Sequence, residues 1–379
     1  MSEVQGSCAA PFGKMREVLA ANLASGEDLG ASVAVIHKGQ MVVDMWGGWA
    51  DTERTKPWTE HTITNVWSTT KTMTNLTALV LADRGLVDLD APVASYWPEF
   101  GANGKGGVLV RDLLAHTSGV SAWAQPVTLN DIYDREKSTA MLATQPCWWE
   151  RGTASGYHAF NQGHLVGEVI RRVTGKTLGR YFAHELAGPL KADFHIGLAA
   201  EHDHRVSNIV PPPPLPFDLD SLDKDSVMYK TFTAPAPDPN AALTTAWRRA
   251  EIGAANGHGN ARSVARVQAV VSHGGAFDGV RLLSPKTLER IFEEQSHGPD
   301  LAIGIPLRFG IGYGLPESVT MPSLPAGRVA YWGGWGGSLI VNDADRQITI
   351  AYMMNKMAPG LIGGPRSEAL VGAAYAAIA

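Results

Sequence analysis

Strand-forming sequence at both ends of the chain, with helical sequence between, most constrains what these 379 residues can fold into. Near the start, "ASVAVIHKG" and "QMVVDMWGGWAD" are rich in β-branched and aromatic residues and are joined by the turn sequence "HKGQ", so an antiparallel hairpin is expected. In the last fifth, "RFGIGYGL", "GRVAYWGG" and "GSLIVNDADRQITIAYMMNK" read as further strands, with "NDADRQ" as a hairpin loop, and "SEALVGAAYAAI" as a closing helix. Strand segments from the two ends satisfy each other by sharing one sheet. The expected fold class is therefore α+β, an antiparallel sheet of N- and C-terminal segments flanked by helices, plus a mainly helical lobe. Residues 1–90 and 270–379 are assigned to the first lobe and 91–269 to the second, with a site in the cleft between them.

Residues 11–26 place Met15, Val18, Leu19 and Leu23 at helical spacing. The middle of the chain repeats that period in "VLVRDLLAHTSG", "HLVGEVIRRVTG", "TLGRYFAHELAG" and "ARSVARVQAVVSHGG", each stopped by glycine. Between them, residues 211–245 hold "PPPPLPFDLDSLDKDSV" and "TAPAPDP". A proline run cannot continue a helix or a central strand, so a semi-rigid surface insertion of polyproline character is expected there.

Composition removes several functions. A net charge of -5, from 32 basic and 37 acidic residues without a block of one sign, leaves no footprint for nucleic acid or anionic lipid. Cys8 and Cys147 form neither a disulfide framework nor a metal-ligand spacing. His202 and His204 in "EHDHR" lack further ligands and read as a solvated turn. No cofactor or metal is called for. The chain has no apolar run of membrane-spanning length and no secretory h-region, which predicts a soluble, cytoplasmic protein without membrane partners. Nothing in the pattern fixes an oligomeric state.

Chemistry enters at "WSTTK", residues 67–71, ahead of a helix that buries Met73, Leu76, Leu79 and Val80 and stops at Gly85. With the helix starting near Ser68, Ser68 and Lys71 lie at i and i+3 on one face of its first turn, where oriented N–H groups and burial both favour a neutral lysine amine. Such an amine can take the serine proton, which a serine nucleophile needs. Thr69 and Thr70 point elsewhere and read as helix-start residues. An N-cap serine with a solvated lysine remains open on this motif alone. Ser221 and Lys224 repeat the spacing inside the proline-rich insertion without a helix or an apolar wall.

Four motifs in order carry more. These are "VWSTTKTMTNLTALVLADRG", "VLVRDLLAHTSGV", "GYHAFNQGHLVGEVIRRVTG" and "YWGGWGGSLIVNDADRQITIAYMMNKM". The set resembles the serine β-lactamase and penicillin-binding-protein superfamily, and within it the family VIII carboxylesterases, relatives of class C β-lactamases. The resemblance implies a β-lactamase/transpeptidase-like fold, Ser68 as acylated nucleophile, Lys71 as its partner and Tyr157 as the second proton-transfer residue. Which of the last two takes the proton stays open, because they titrate as a pair. It also implies an oxyanion hole of the Ser68 and Trp335 backbone N–H groups, and substrate contacts from Trp332, Gly333, Gly334 and Trp335. His116 is implied as part of a structural turn.

Departures from the family pattern narrow the substrate. Ala159 stands where class C β-lactamases have asparagine, and Trp332-Gly333-Gly334 where β-lactamases carry Lys-Thr-Gly, so the cation that would grip a carboxylate is missing. The expected activity is hydrolysis of neutral carboxylic esters with short acyl chains, a small molecule being the partner. An acyltransferase, a weak β-lactamase or amidase, and a penicillin-binding-like module without turnover are the alternatives. Trp123, Trp148 and Trp149 are read as core rather than pocket. No G-x-S-x-G is present for the nucleophile elbow of an α/β-hydrolase.

Overall fold

The computed structural model describes residues 3–214 and 219–379. Its centre is an antiparallel sheet of β1 (Gln5–Cys8), β2 (Gly30–His37), β3 (Gln40–Gly48), β4 (Val329–Gly333), β5 (Leu339–Asp343) and β6 (Ile348–Met354), in the order β1-β3-β2-β6-β5-β4. The two ends of the chain meet in mid-sheet, where β2 pairs with β6 from Ala31 opposite Met354 to His37 opposite Ile348. The β2–β3 hairpin turns on Lys38 and Gly39, with φ of 50° and 77°. Positive angles at both central residues give the tight turn whose twist suits the flanking strands.

The helices that build the core and the site are α1 (Gly13–Ser25), α2 (Thr70–Asp83), α3 (Gln162–Thr174), α4 (Val227–Thr233), α5 (Ala261–Ser272) and α6 (Pro365–Ala376). Alternation along β2 sorts them into layers. Ser32 accepts from the Ala261 N–H at 3.0 Å, Asp44 pairs with Arg262 at 2.6 Å, and the Thr349 and Ser272 hydroxyls meet at 2.6 Å, so this face carries α5. On the other face Tyr352 donates to Asp28 at 2.6 Å, and Asp28 also pairs with Arg366 of α6 at 2.6 Å. Covered on both sides, β2 is buried at every residue but its last.

Helix α2 is interior. Every residue from Thr70 to Leu81 is buried. Its polar side chains find partners inside: Thr74 donates to the Gly253 carbonyl at 2.6 Å and Asn75 to that of Gly312 at 2.8 Å. The glycine stop falls where the sequence places it, with Gly85 at φ 69° and its N–H on the Ala82 carbonyl at 3.0 Å.

Three expectations change. β1, a short edge strand of sequence "QGSC" without an apolar run, pairs with β3 and was not legible. "RFGIGYGL" is not one strand: Pro306–Phe309 pairs with Ser296–Pro299, and the chain then bends at Gly312, φ 89°, where its carbonyl meets Asn75. The insertion at 211–245 is not wholly a surface feature, because after its prolines it forms α4, capped by Ser226, whose Oγ accepts the Tyr229 N–H at 3.1 Å. The four residues inside "PPPPLPFDLD" from 215 to 218 lie outside the described residues. No helix among the described residues is long and apolar enough to cross a membrane.

Leu76 has no exposed surface at the centre of α2. Leu76→Ala should cost about 2–5 kcal/mol in urea unfolding, through lost burial and a residual cavity. A cost near zero would contradict the placement of α2 at the core.

Candidate active site

Ser68 sits in a 3-10 turn, Trp67–Thr69, that leads into α2 at Thr70. The turn is unusual at its first residue, where Trp67 holds φ 48°. A left-handed non-glycine residue costs about 1–3 kcal/mol and persists where its surroundings fix it. Here the Trp67 ring lies 5.5 Å from that of Trp247 and 5.1 Å from that of Trp335. Thr70 donates to the Trp67 carbonyl at 2.6 Å, and Thr69 meets Ser338 at 3.0 Å. Both threonine hydroxyls fix the turn.

Lys71 is 1% exposed, and its Nζ touches three oxygens: the Ala159 carbonyl at 2.8 Å, the Ala254 carbonyl at 2.9 Å and Ser68 Oγ at 3.1 Å. Carbonyls only accept, so two N–H bonds are committed to them. A neutral amine then keeps its lone pair for the Ser68 O–H. Burial pushes the lysine well below its ordinary value of 10.5, in the same direction.

Tyr157 packs against that amine, with Nζ 4.6 Å from the ring centre. Its hydroxyl accepts from Trp332 Nε1–H at 3.3 Å, and the nearby Ser68 hydroxyl favours the phenolate against burial. Burial raises the phenol, so it stays protonated. The Tyr157 backbone N–H donates at 3.1 Å to Oδ1 of buried Asp300, which also takes the Ala302 and Ile303 N–H groups, both at 2.9 Å. One carboxylate thus ties the tyrosine to the 300–305 loop.

His116, at φ 62°, lies behind Tyr157 with ring centres 4.9 Å apart, and its Nδ1 accepts the His158 N–H at 3.1 Å. Burial lowers its pKa well below the ordinary 6.5 and keeps it neutral. His158 donates from Nδ1 to the Gly156 carbonyl at 2.6 Å, leaving Nε2 to accept from Ser118 at 2.6 Å. Burial pushes its pKa to about 3.

The glycines after β4 let the strand close on the nucleophile. A Cβ on Gly334 would stand 2.3 Å from Ser338 Oγ and 2.4 Å from the Val66 carbonyl, and one on Gly333 would meet the Gly363 N at 2.7 Å. Trp335 follows, and neither its N–H nor that of Ser68 is taken by a protein acceptor among the described residues.

Ser68, Tyr157 and Trp335 share a cavity of about 230 Å³ whose lining includes Met228, Phe232 and Ile303, and among the described residues no charged side chain lines it. Trp332 does not reach this space. Its ring is packed behind Tyr157, 5.1 Å from Phe309, and Gly333 and Gly334 serve backbone packing. Trp123 and Trp149 donate to the Ser138 and Ala154 carbonyls at 3.1 Å and 3.0 Å, and Trp148 lies under Lys230. Ser221 and Lys224 are exposed. Among the described residues no group of ligating side chains could hold a metal, and His204 donates to the Glu201 carbonyl at 2.8 Å.

Sequence reasoning missed Trp67, Met228, Phe232 and Ile303. The spacing of four between Met228 and Phe232 was a usable signal for a helical face. Ile303 carried none.

Gly334→Ala must displace Val66 or Ser338, both bonded into the turn that holds Ser68. The variant should lose about 1–3 kcal/mol of stability, read as a lower urea midpoint. Unchanged stability would contradict the close approach.

The beta-lactamase family profile matches residues 15–373. A solved family VIII carboxylesterase superposes with a TM-score of 0.92 at 40% identity, covering 99% of this chain and 100% of that one. A penicillin-binding protein homologue from Caulobacter crescentus superposes with a TM-score of 0.92 at 35% identity, covering 99% of each chain. The esterase/beta-lactamase LipL of Mycobacterium tuberculosis is 35% identical over 348 residues, which is 88% of this chain and 78% of LipL. The fold is thus that of β-lactamases and transpeptidases, and the chain belongs to the beta-lactamase family, with a family VIII carboxylesterase among its relatives.

Proposed function

We propose that the chain is a serine hydrolase of carboxylic esters that works through an acyl-enzyme on Ser68. The observation that carries this reading is the Lys71 amine, buried, with two bonds committed to carbonyls and its third contact on Ser68 Oγ. Lys71 takes the serine proton as Oγ attacks the ester carbonyl. The backbone N–H groups of Ser68 and Trp335 receive the oxyanion. The ester C–O bond then breaks, the alcohol leaves with a proton delivered through the Tyr157 hydroxyl from Lys71, and water hydrolyses the acyl-enzyme by the same route in reverse. Burial raises Tyr157 and lowers Lys71, which favours Lys71 as the base and Tyr157 as the neutral relay.

Relatives named as esterases support the reaction type. An uncharged cavity and the missing Lys-Thr-Gly cation favour neutral esters. At about 230 Å³ the cavity is smaller than the roughly 300–1,000 Å³ of drug-sized sites, which favours short acyl chains. The site is assigned to the cleft between the lobe of 1–90 with 270–379 and the lobe of 91–269, where α2 and β4 meet the segment after α4 and the Tyr157 loop. Two free cysteines, Cys8 and Cys147, fit a reducing compartment such as the cytoplasm.

Steady-state hydrolysis of 4-nitrophenyl acetate tests this directly. Ser68→Ala should fall to background, and Lys71→Arg, which cannot offer a lone pair, should lose about 10²–10⁴ in kcat/KM. Equal activity in wild type and Ser68→Ala would overturn the assignment. Added alcohol separates hydrolysis from acyl transfer by its products.

The pH profile gives a second check. Activity requires the neutral amine, so kcat/KM should be full above the Lys71 pKa and fall as pH drops through it, at a pH well below 10.5. A rate that rises with acid would contradict the lysine base.

A further inference from the structure

We propose that Met228 and Phe232 of α4 set the length of the hydrocarbon chain that the site accepts, so that its substrates are esters of uncharged aliphatic groups. This deepens the ester-hydrolase reading and rests on it. The two side chains are four residues apart, on one face of the helix, and both line the cavity that holds Ser68. Contacts behind and beside them hold α4 in place. Lys230, on the opposite face, lies 5.9 Å over the Trp148 ring, and the Thr231 hydroxyl meets that of Ser121 at 2.7 Å in a buried contact. The Ser226 cap fixes the start of the helix.

Met228 also reaches the other side of the cavity. A Cβ on Gly304 would come within 2.9 Å of its Cε, and Gly304 belongs to the 300–305 loop that Asp300 ties to Tyr157. A substrate chain leaving the Ser68 carbonyl centre therefore runs between apolar walls and stops against a methionine and a phenylalanine. With no charged group in the lining among the described residues, a chain ending in a carboxylate or an ammonium would be buried unpaired. An extra methylene that finds apolar room gains about fourfold in kcat/KM.

The experiment measures kcat/KM for 4-nitrophenyl esters from acetate to decanoate, and for acetates of alcohols of increasing length. It compares wild type, Met228→Ala, Phe232→Ala and Met228→Trp. In one of the two series, the ratio of the octanoyl or octyl ester to the butanoyl or butyl ester should rise about fifteenfold in each alanine variant, the room of roughly two methylenes. It should fall in Met228→Trp, which keeps the test open if an alanine variant does not fold. The series that moves tells whether the acyl or the alcohol chain meets α4. Ratios within twofold of wild type in both series and all variants would overturn the proposal while leaving the hydrolase reading intact. If wild type hydrolyses no ester, that reading falls, and the rate of Ser68 phosphonylation by 4-nitrophenyl alkylphosphonates of the same lengths, which expel 4-nitrophenolate as the Oγ–P bond forms, followed by intact mass, decides the wall. A length profile moved by the substitutions supports it, and an unmoved profile or no labelling overturns it.

Discussion

Burial of the Lys71 amine is the constraint on which the rest of the site depends. A charged ammonium with almost no solvent contact is costly, and the protein answers by lowering its pKa and supplying two carbonyl acceptors from separate segments, at Ala159 and Ala254. Those carbonyls lie on either side of α3 in sequence, so the helical part of the chain must be folded against α2 before the amine is held. The serine proton then has a direction of travel: towards the one nitrogen lone pair that the carbonyls leave available.

The sheet supplies the other half. β4 reaches the nucleophile turn because two consecutive glycines remove the side chains that would hold it off, and Ser338 bonds both the Val66 carbonyl and Thr69. This brings Trp335, from near the C-terminal end, beside Trp67, from near the N-terminal end, with ring centres 5.1 Å apart. The join of β2 to β6 in mid-sheet makes that meeting possible. Strain at Trp67 is a local consequence, tolerated because two indole neighbours fix its ring.

Much of this was legible in the sequence, for physical reasons that differ by element. β2, β5 and β6 announce themselves because strands buried on both faces are rich in apolar residues, β3 by its β-branched and aromatic residues after a turn, and α5 because one face is apolar at helical period. Ser68 and Lys71 were legible through spacing on a helix start, and Tyr157 only through the family resemblance. β1 was not, since an edge strand held by backbone pairing needs no apolar pattern. The positive φ at Trp67 follows from tertiary packing and leaves no mark on local sequence. The walls at Met228 and Phe232 were hidden by the prolines ahead of them, which mark where a helix cannot be and say nothing of the short one that follows.

The most direct test of the central claim is the titration of Lys71 itself, by NMR of protein carrying ¹³C-labelled lysine, with the signal assigned by its loss in Lys71→Arg. A neutral buried amine poised for Ser68 requires that this side chain lose its proton well below 10.5. A Lys71 that titrates at or above that value would mean a cation in the site, and the proton path from Ser68 would have to be drawn again.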